Sequence, residues 1–279
     1  MPVTTSQQIA HYYEQFQNVE VTFNKEVIKA TLLNPKGVFL KCLGYQWPCI
    51  LYSTSFTGAK VVVSTRGSFN EVVRKANNLV SLRFSFLQGE KADPLSFFVS
   101  ARVAGYSPYG KNRPDVFFVT LNYTQRPPDD LIEIVGQLLE ANSNAKRRRE
   151  ERIVLTADSA PKLGIRAKEA QIEIGGVPRR CIIRDLSFSG AKVIVLGIAK
   201  MLVDKEAVLH LQLVEPQETI RIAGKVVRFE PVEGRSDISA FAMQFNDDTL
   251  PMKYKLRINN YLKSQKKKPK PEGKHAASQ

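Results

Sequence analysis

Two short stretches of this chain carry side chains suited to molecular recognition. Arg147, Arg148, Arg149 and Arg152 crowd together, and Asp185-Leu186-Ser187-Phe188-Ser189-Gly190 follows further along. A guanidinium forks onto paired phosphate oxygens or onto N7 and O6 of guanine, and it stacks on a purine face. A lysine supplies only a point charge. A carboxylate accepts hydrogen bonds from the N1 and N2 donors of guanine, a serine hydroxyl serves a phosphate or a base edge, and glycine lets backbone come close. Together the two stretches offer what a guanine-bearing phosphodiester needs, which is binding chemistry rather than catalysis.

Other chemistries find little support. Cys42, Cys49 and Cys181 include no CxxC pair and leave an odd thiol, which argues against a disulfide scaffold or a cysteine-rich zinc site. His11, His210 and His275 are scattered, so no metal centre is expected. Clustered carboxylates at metal spacing, a Gly-x-Ser-x-Gly elbow and a Walker loop are all missing, so an enzyme is not expected. The net charge of +14 suggests nucleic acid, but it is concentrated: Lys146–Arg152 has five cations against two glutamates, and Lys263–Lys274 six lysines against one. Those stretches account for eight of the fourteen charges, and no helix-turn-helix, zinc-finger or RNA-binding motif accompanies them. Met1–Gln8 shows no charged and then apolar leader, and no apolar run reaches the ~18–20 residues of a membrane helix. The expectation is a soluble, cytoplasmic protein with no membrane insertion.

The elements that must hold these residues are announced by a repeat. Ser55-Phe56-Thr57-Gly58-Ala59-Lys60-Val61-Val62-Val63 aligns with Ser187-Phe188-Ser189-Gly190-Ala191-Lys192-Val193-Ile194-Val195 at an offset of 132, and the same offset places Cys49-Ile50 on Cys181-Ile182. A match of this length at one register implies two copies of one strand-turn-strand module. Ser53 stands where the second copy has Asp185, and no Arg-x-x-x-Arg precedes the first copy. The first copy keeps the turn but lacks the charges.

The pattern around the repeat is strand-rich. Ser6–Phe16 has helical spacing, and strands are expected at 19–23, 27–33, 38–43, 49–53, 60–64, 79–87, 95–103 and 116–123. After Pro127-Pro128-Asp129-Asp130, a helix is marked by Leu131, Ile132, Val135, Leu138 and Leu139; Ala141-Asn142-Ser143-Asn144 is expected to break it, leaving the arginine cluster as a flexible linker. Further strands are expected at 153–155, 171–174, 178–185, 191–195, 207–213, 220–229 and 239–245, then a closing helix over 248–261. Lys263–Gln279 has almost nothing to bury and reads as disordered.

Arg148-x-x-x-Arg152 followed by Asp185-x-Ser187-x-x-Gly190 resembles the PilZ family of cyclic di-GMP receptors, in the tandem form known from spirochaetes. The resemblance implies a mainly β fold of two tandem PilZ-like β-barrels with short flanking helices. Residues 1–140 would form a degenerate N-terminal barrel with a trailing helix, 141–152 the basic linker, 153–262 the PilZ barrel and 263–279 the tail. It further implies that cyclic di-GMP is bound by Arg147, Arg148, Arg152, Asp185, Ser187 and Gly190 without any cofactor, Arg147 favouring two stacked ligand molecules. The implied role is a receptor that orders its linker, reorients its domains and signals to a downstream protein partner in motility, virulence or gene regulation. The alternative is a nucleic-acid-binding protein that uses the linker and tail, with the nucleotide as regulator.

Overall fold

A computed structural model describes residues 4–88, 92–110, 113–197 and 200–266. The chain divides into two compact units, Met1–Glu140 and Ala141–Gln279, and passes from one to the other within a helix.

The first unit runs α1 (Ser6–Phe16), β1 (Val21–Thr22), α2 (Lys25–Thr31), β2 (Phe39–Cys42), β3 (Tyr45–Thr54), β4 (Gly58–Ser64), α3 (Phe69–Lys75), β5 (Leu79–Gln88), β6 (Ala92–Pro108), β7 (Val116–Tyr123) and the start of α4 (Asp129–Arg147). The second continues with β8 (Ile153–Val154), α5 (Ser159–Lys162), β9 (Glu169–Ile174), β10 (Val177–Leu186), β11 (Gly190–Leu196), β12 (Glu206–Leu213), β13 (Glu218–Val232), β14 (Arg235–Phe245) and α6 (Met252–Lys266). In the first unit β3, β2, β5, β6, β7 and β4 follow one another and β3 pairs with β4; in the second β11, β14, β13, β12, β9 and β10 do the same and β10 pairs with β11. Each unit is therefore a closed six-stranded antiparallel barrel with no free edge in the ring. Alternation fills the interiors: Ile172, Ile174, Ile183, Val193 and Leu209 turn into the second barrel. Tyr254, Ile258 and Leu262, spaced by four on α6, bury the same face of that helix. Each such side chain contributes about 1.5–3 kcal/mol by leaving water.

The repeat is geometric as well as sequential. Cys49, Ile50 and Leu51 pair with Val63, Val62 and Val61, as Cys181, Ile182 and Ile183 pair with Val195, Ile194 and Val193. Both ladders then shift at a β-bulge, at Tyr52 and Arg184, and resume as Ser53↔Lys60 and Asp185↔Lys192. Even the short flanking strands agree, with Val21↔Thr54 matched by Ile153↔Leu186.

Several local expectations are corrected. Residues 27–33 do not form a strand: Lys25–Thr31 is helical, with the Asn24 carboxamide oxygen accepting from Val27 N at 2.9 Å and Leu32 closing it at φ 59°. The β-branched run there is a strand signal, and the Asn cap overrides it. Helices α3 and α5 were not expected; α3 buries Phe69, Val72 and Val73 on one face. Ala141–Asn144 does not break α4, which continues to Arg147 because Asn144 Nδ2 donates to Asn259 Oδ1 at 2.7 Å and Ala141 is buried. Residues 263–266 are helical rather than disordered, and the remainder of the tail, including His275, lies outside the described residues.

All three cysteines are free and buried, and burial pushes the Cys49 and Cys181 thiols up to about 12. Because the folded state holds these protons more tightly than the unfolded chain, the associated stability is fully present below the ordinary thiol range and is lost as pH rises toward 12. At pH 8 a disulfide-exchange reagent should modify none of the three in the native protein and all three in denaturant; fast native labelling of Cys181 would contradict its burial.

Candidate ligand-binding site

The second barrel brings its arginine cluster and its Asp-Leu-Ser hairpin together. The segment after α4 is folded. Arg148 N donates to Asn144 O at 2.8 Å, and three residues after Glu150 the chain enters β8, whose Val154 and Ile153 pair with Asp185 and Leu186. The expected flexible linker is thus a fitted strap, tied down by backbone bonds that the residue types alone do not announce.

Each arginine of the strap is placed. Arg147 ends α4, exposed. Arg148 forks onto Glu151, Nε and Nη2 each 2.6 Å from a carboxylate oxygen, with its side chain 16% exposed. Arg149 pairs with Asp247, and its carbonyl accepts from Ser189 N at 3.2 Å and Ser189 Oγ at 3.0 Å. Glu150 accepts from the same hydroxyl at 2.9 Å. Arg152 Nη1 lies 2.5 Å from Asp185 Oδ1. Strict alternation from Cys181 and Ile183 would turn Asp185 into the barrel; the bulge carries it to the outward face, opposite Lys192.

Ser187 and Gly190 do different work. Ser187 is 0% exposed, its hydroxyl accepts from Gly190 N at 3.1 Å, and its carbonyl accepts from Tyr254 Oη at 2.6 Å. It shapes the turn from inside. Tyr254 remains a neutral donor: burial first, then the negative charge of Asp185, raises its pKa well above the ordinary value, with Arg152 opposing. Gly190 is needed because a Cβ there would sit 2.3 Å from Met243 O on β14; Gly58 meets Leu121 O in the same way at 2.4 Å. The close approach that these glycines permit is therefore strand to strand.

Sequence reasoning missed several neighbours. Lys192, across the hairpin from Asp185, pairs with Glu230, which also holds Arg228 at 2.6 Å; hydrogen bonding from Lys192 lowers the Glu230 pKa. The hairpin register around the turn could have placed Lys192, and the three-residue spacing could have paired Arg148 with Glu151. Nothing local points to Asp247. In the first barrel the offset of 132 puts Phe16 and Glu20 where Arg148 and Arg152 stand, and the Glu20 carboxylate accepts from the Ser53 hydroxyl in place of the Arg152–Asp185 pair. Phe56 N donates to Gln17 O at 3.2 Å, so the strap survives there without its cations.

Among the described residues no His, Cys, Asp and Glu group could hold a metal, and no helix is long and apolar enough to cross a membrane. The chain is a tandem of closed six-stranded barrels, the second with an arginine strap fastened across an Asp-x-Ser-x-x-Gly hairpin. The PilZN3 domain model matches residues 7–142 and the PilZ domain model residues 146–264, and the chain belongs to the PilZ family. A Treponema denticola protein described as a cyclic di-GMP binding protein is 46% identical over 262 residues, 94% of this chain and 83% of its own. Borreliella burgdorferi PlzA in complex with c-di-GMP is 24% identical, covering 92% of this chain and 98% of that one, with a TM-score of 0.42. The K. pneumonia MrkH–c-di-GMP complex is 14% identical, covering 95% and 98%, with a TM-score of 0.31.

Proposed function

We propose that the chain is a non-enzymatic receptor for cyclic di-GMP, with the C-terminal barrel as the binding module. The observation that carries this reading is the Arg152–Asp185 contact together with the Arg148–Glu151 fork, which hold two guanidiniums at the rim on internal carboxylates. The Treponema relative's description supports the choice of ligand. Both contacts are charged hydrogen bonds with one partner open to solvent, and such surface pairs contribute only ~0–1 kcal/mol net. In this reading a dinucleotide that offers phosphate oxygens and guanine edges to both guanidiniums takes the place of the internal carboxylates.

In this reading Arg148 and Arg152 take the phosphates and guanine edges, Asp185 accepts from guanine N–H groups, and Arg147 reaches a second stacked ligand molecule. Ser187 and Gly190 hold the hairpin that presents Asp185. The first barrel, with Phe16, Glu20 and Ser53 at the matching positions, does not bind the nucleotide. Residues 141–152 are the coupling segment between a non-binding unit and a binding one. Because Arg148 follows directly on α4, exchange of its partner is passed to that helix, and reorientation of the N-terminal unit for a downstream protein partner is the proposed output.

Calorimetry tests the binding and scattering the output. Cyclic di-GMP should bind with a stoichiometry near two per chain, and cyclic di-AMP, which lacks the guanine edges, should bind far more weakly at constant salt. Equal affinity for the two would defeat the guanine assignment. An unchanged small-angle scattering envelope at saturation would defeat reorientation while leaving binding intact.

A further inference from the structure

One cross-strand line crosses the outer face of the second barrel from Asp185. Asp185 of β10 lies opposite Lys192 of β11, Lys192 opposite Ala242 of β14, and Ala242 opposite Arg228 of β13. Strict alternation from the buried Val226 would turn Arg228 inward, and a bulge at Val227 carries it out, as the bulge at Arg184 does for Asp185. The line is therefore charged at both ends. Those ends are three strand spacings apart, roughly 14 Å, a gap that a dinucleotide can bridge. Between them Ala242 is a low step, and Glu230 gathers the two cations above it, accepting from Lys192 and, at 2.6 Å, from Arg228 Nη2. The Arg228 side chain is 67% exposed, so its guanidinium is open to a ligand.

The first barrel serves as an internal control. Its ladder has the same two bulges, at Tyr52 and Ala104, and its line reads Ser53, Lys60, Thr120 and Gly105. Ser107, opposite Phe118, stands where Glu230 stands opposite Ala240. A Cβ at Gly105 would meet nothing within 4 Å, so packing does not exclude a side chain there. The copy without the strap's cations thus also lacks the charge at each end of the line, while it keeps the lysine between them.

Cyclic di-GMP carries two guanines, and the hairpin offers one carboxylate, Asp185, for one of them. We propose that Arg228 reads the second guanine, forking onto its O6 and N7, and that Lys192 meets a phosphate between the two bases. Glu230 is a positioning residue that holds both cations over the step. This inference rests on the receptor reading above and names the group that makes it selective at the second base.

The test is calorimetry of the full chain with cyclic di-GMP and with cyclic GMP-AMP, the mixed dinucleotide in which adenine replaces one guanine. Adenine presents an N–H donor where guanine presents O6, so a fork suited to guanine is opposed at that edge. The unaltered chain should prefer cyclic di-GMP roughly ten-fold, and Arg228→Ala should weaken cyclic di-GMP by about that factor while leaving cyclic GMP-AMP nearly unchanged. Arg228→Gln should reverse the preference, because a carboxamide forks onto N6 and N7 of adenine. Glu230→Ala should narrow the preference too, with an unaltered urea midpoint. Lys192→Gln should weaken both ligands by the same factor, and Lys60→Gln in the first barrel should weaken neither. An undiminished preference for cyclic di-GMP in Arg228→Ala and Arg228→Gln, with binding still weakened in Arg152→Ala, would overturn the assignment of Arg228 and leave the receptor standing. No binding of cyclic di-GMP by the unaltered chain would instead defeat the receptor reading, and this inference with it.

Discussion

Cyclic di-GMP titrated into Arg148→Ala or Arg152→Ala protein should bind roughly ten- to a hundred-fold more weakly than to the unaltered chain, the loss of about 1.5–3 kcal/mol that accompanies removal of a charged hydrogen-bonding group. The two positions should differ in what a lysine can rescue. Arg152 is paired with Asp185 through a single nitrogen, so Arg152→Lys keeps a cation at the rim. Arg148 uses its fork on Glu151, so Arg148→Lys sacrifices the two-pronged geometry and should stay close to the alanine variant. Asp185→Ala should also weaken binding, by removing the acceptor for guanine. Calorimetry on these variants, with thermal unfolding to confirm that each barrel is intact, decides the matter; undiminished affinity in Arg148→Ala and Arg152→Ala alike would remove the strap from the binding site.

The second large effect is on folding. Gly190→Ala should destabilise the C-terminal barrel by about 1–3 kcal/mol, the usual cost of forcing extra volume into a packed position. Replacing glycine by alanine ordinarily gains ~0.4–1 kcal/mol by restricting the unfolded chain. Here the contact of 2.3 Å with Met243 O outweighs that gain, because the obstacle is backbone and cannot swing aside. Gly58→Ala should repeat the effect in the N-terminal barrel against Leu121 O. Urea unfolding midpoints measure both, and a midpoint for Gly190→Ala at or above that of the unaltered protein would show that β14 yields easily.

The barrels and their kinship were legible because period-two alternation and a nine-residue match at one offset are dense signals that survive without tertiary information. The helix at 25–31 was not, since its β-branched content imitates a strand until the Asn24 cap is weighed, and the seven-residue helix at 69–75 has no side-chain cap to announce it. At the site, residue types announced Arg148, Arg152 and Asp185, but not the state in which they rest. Whether a run of arginines is loose or fastened depends on carboxylates at Glu151, Asp185 and Asp247, of which only the first is a sequence neighbour. The state of Ser187 was hidden for a related reason: a hydroxyl beside an acid reads as a ligand contact, and only the ladder shows it buried beneath the turn.

The bulge at Arg184 makes this hairpin sensitive to residue count more than to residue identity. Removing that one position would leave every letter of Asp-Leu-Ser-Phe-Ser-Gly in place yet rotate the acid inward among Ile183 and Val193, where an unpaired charge is prohibitive. A homologue one residue shorter at this point would thus carry an intact signature with its carboxylate turned inward, and alignments that permit a gap there would misjudge it.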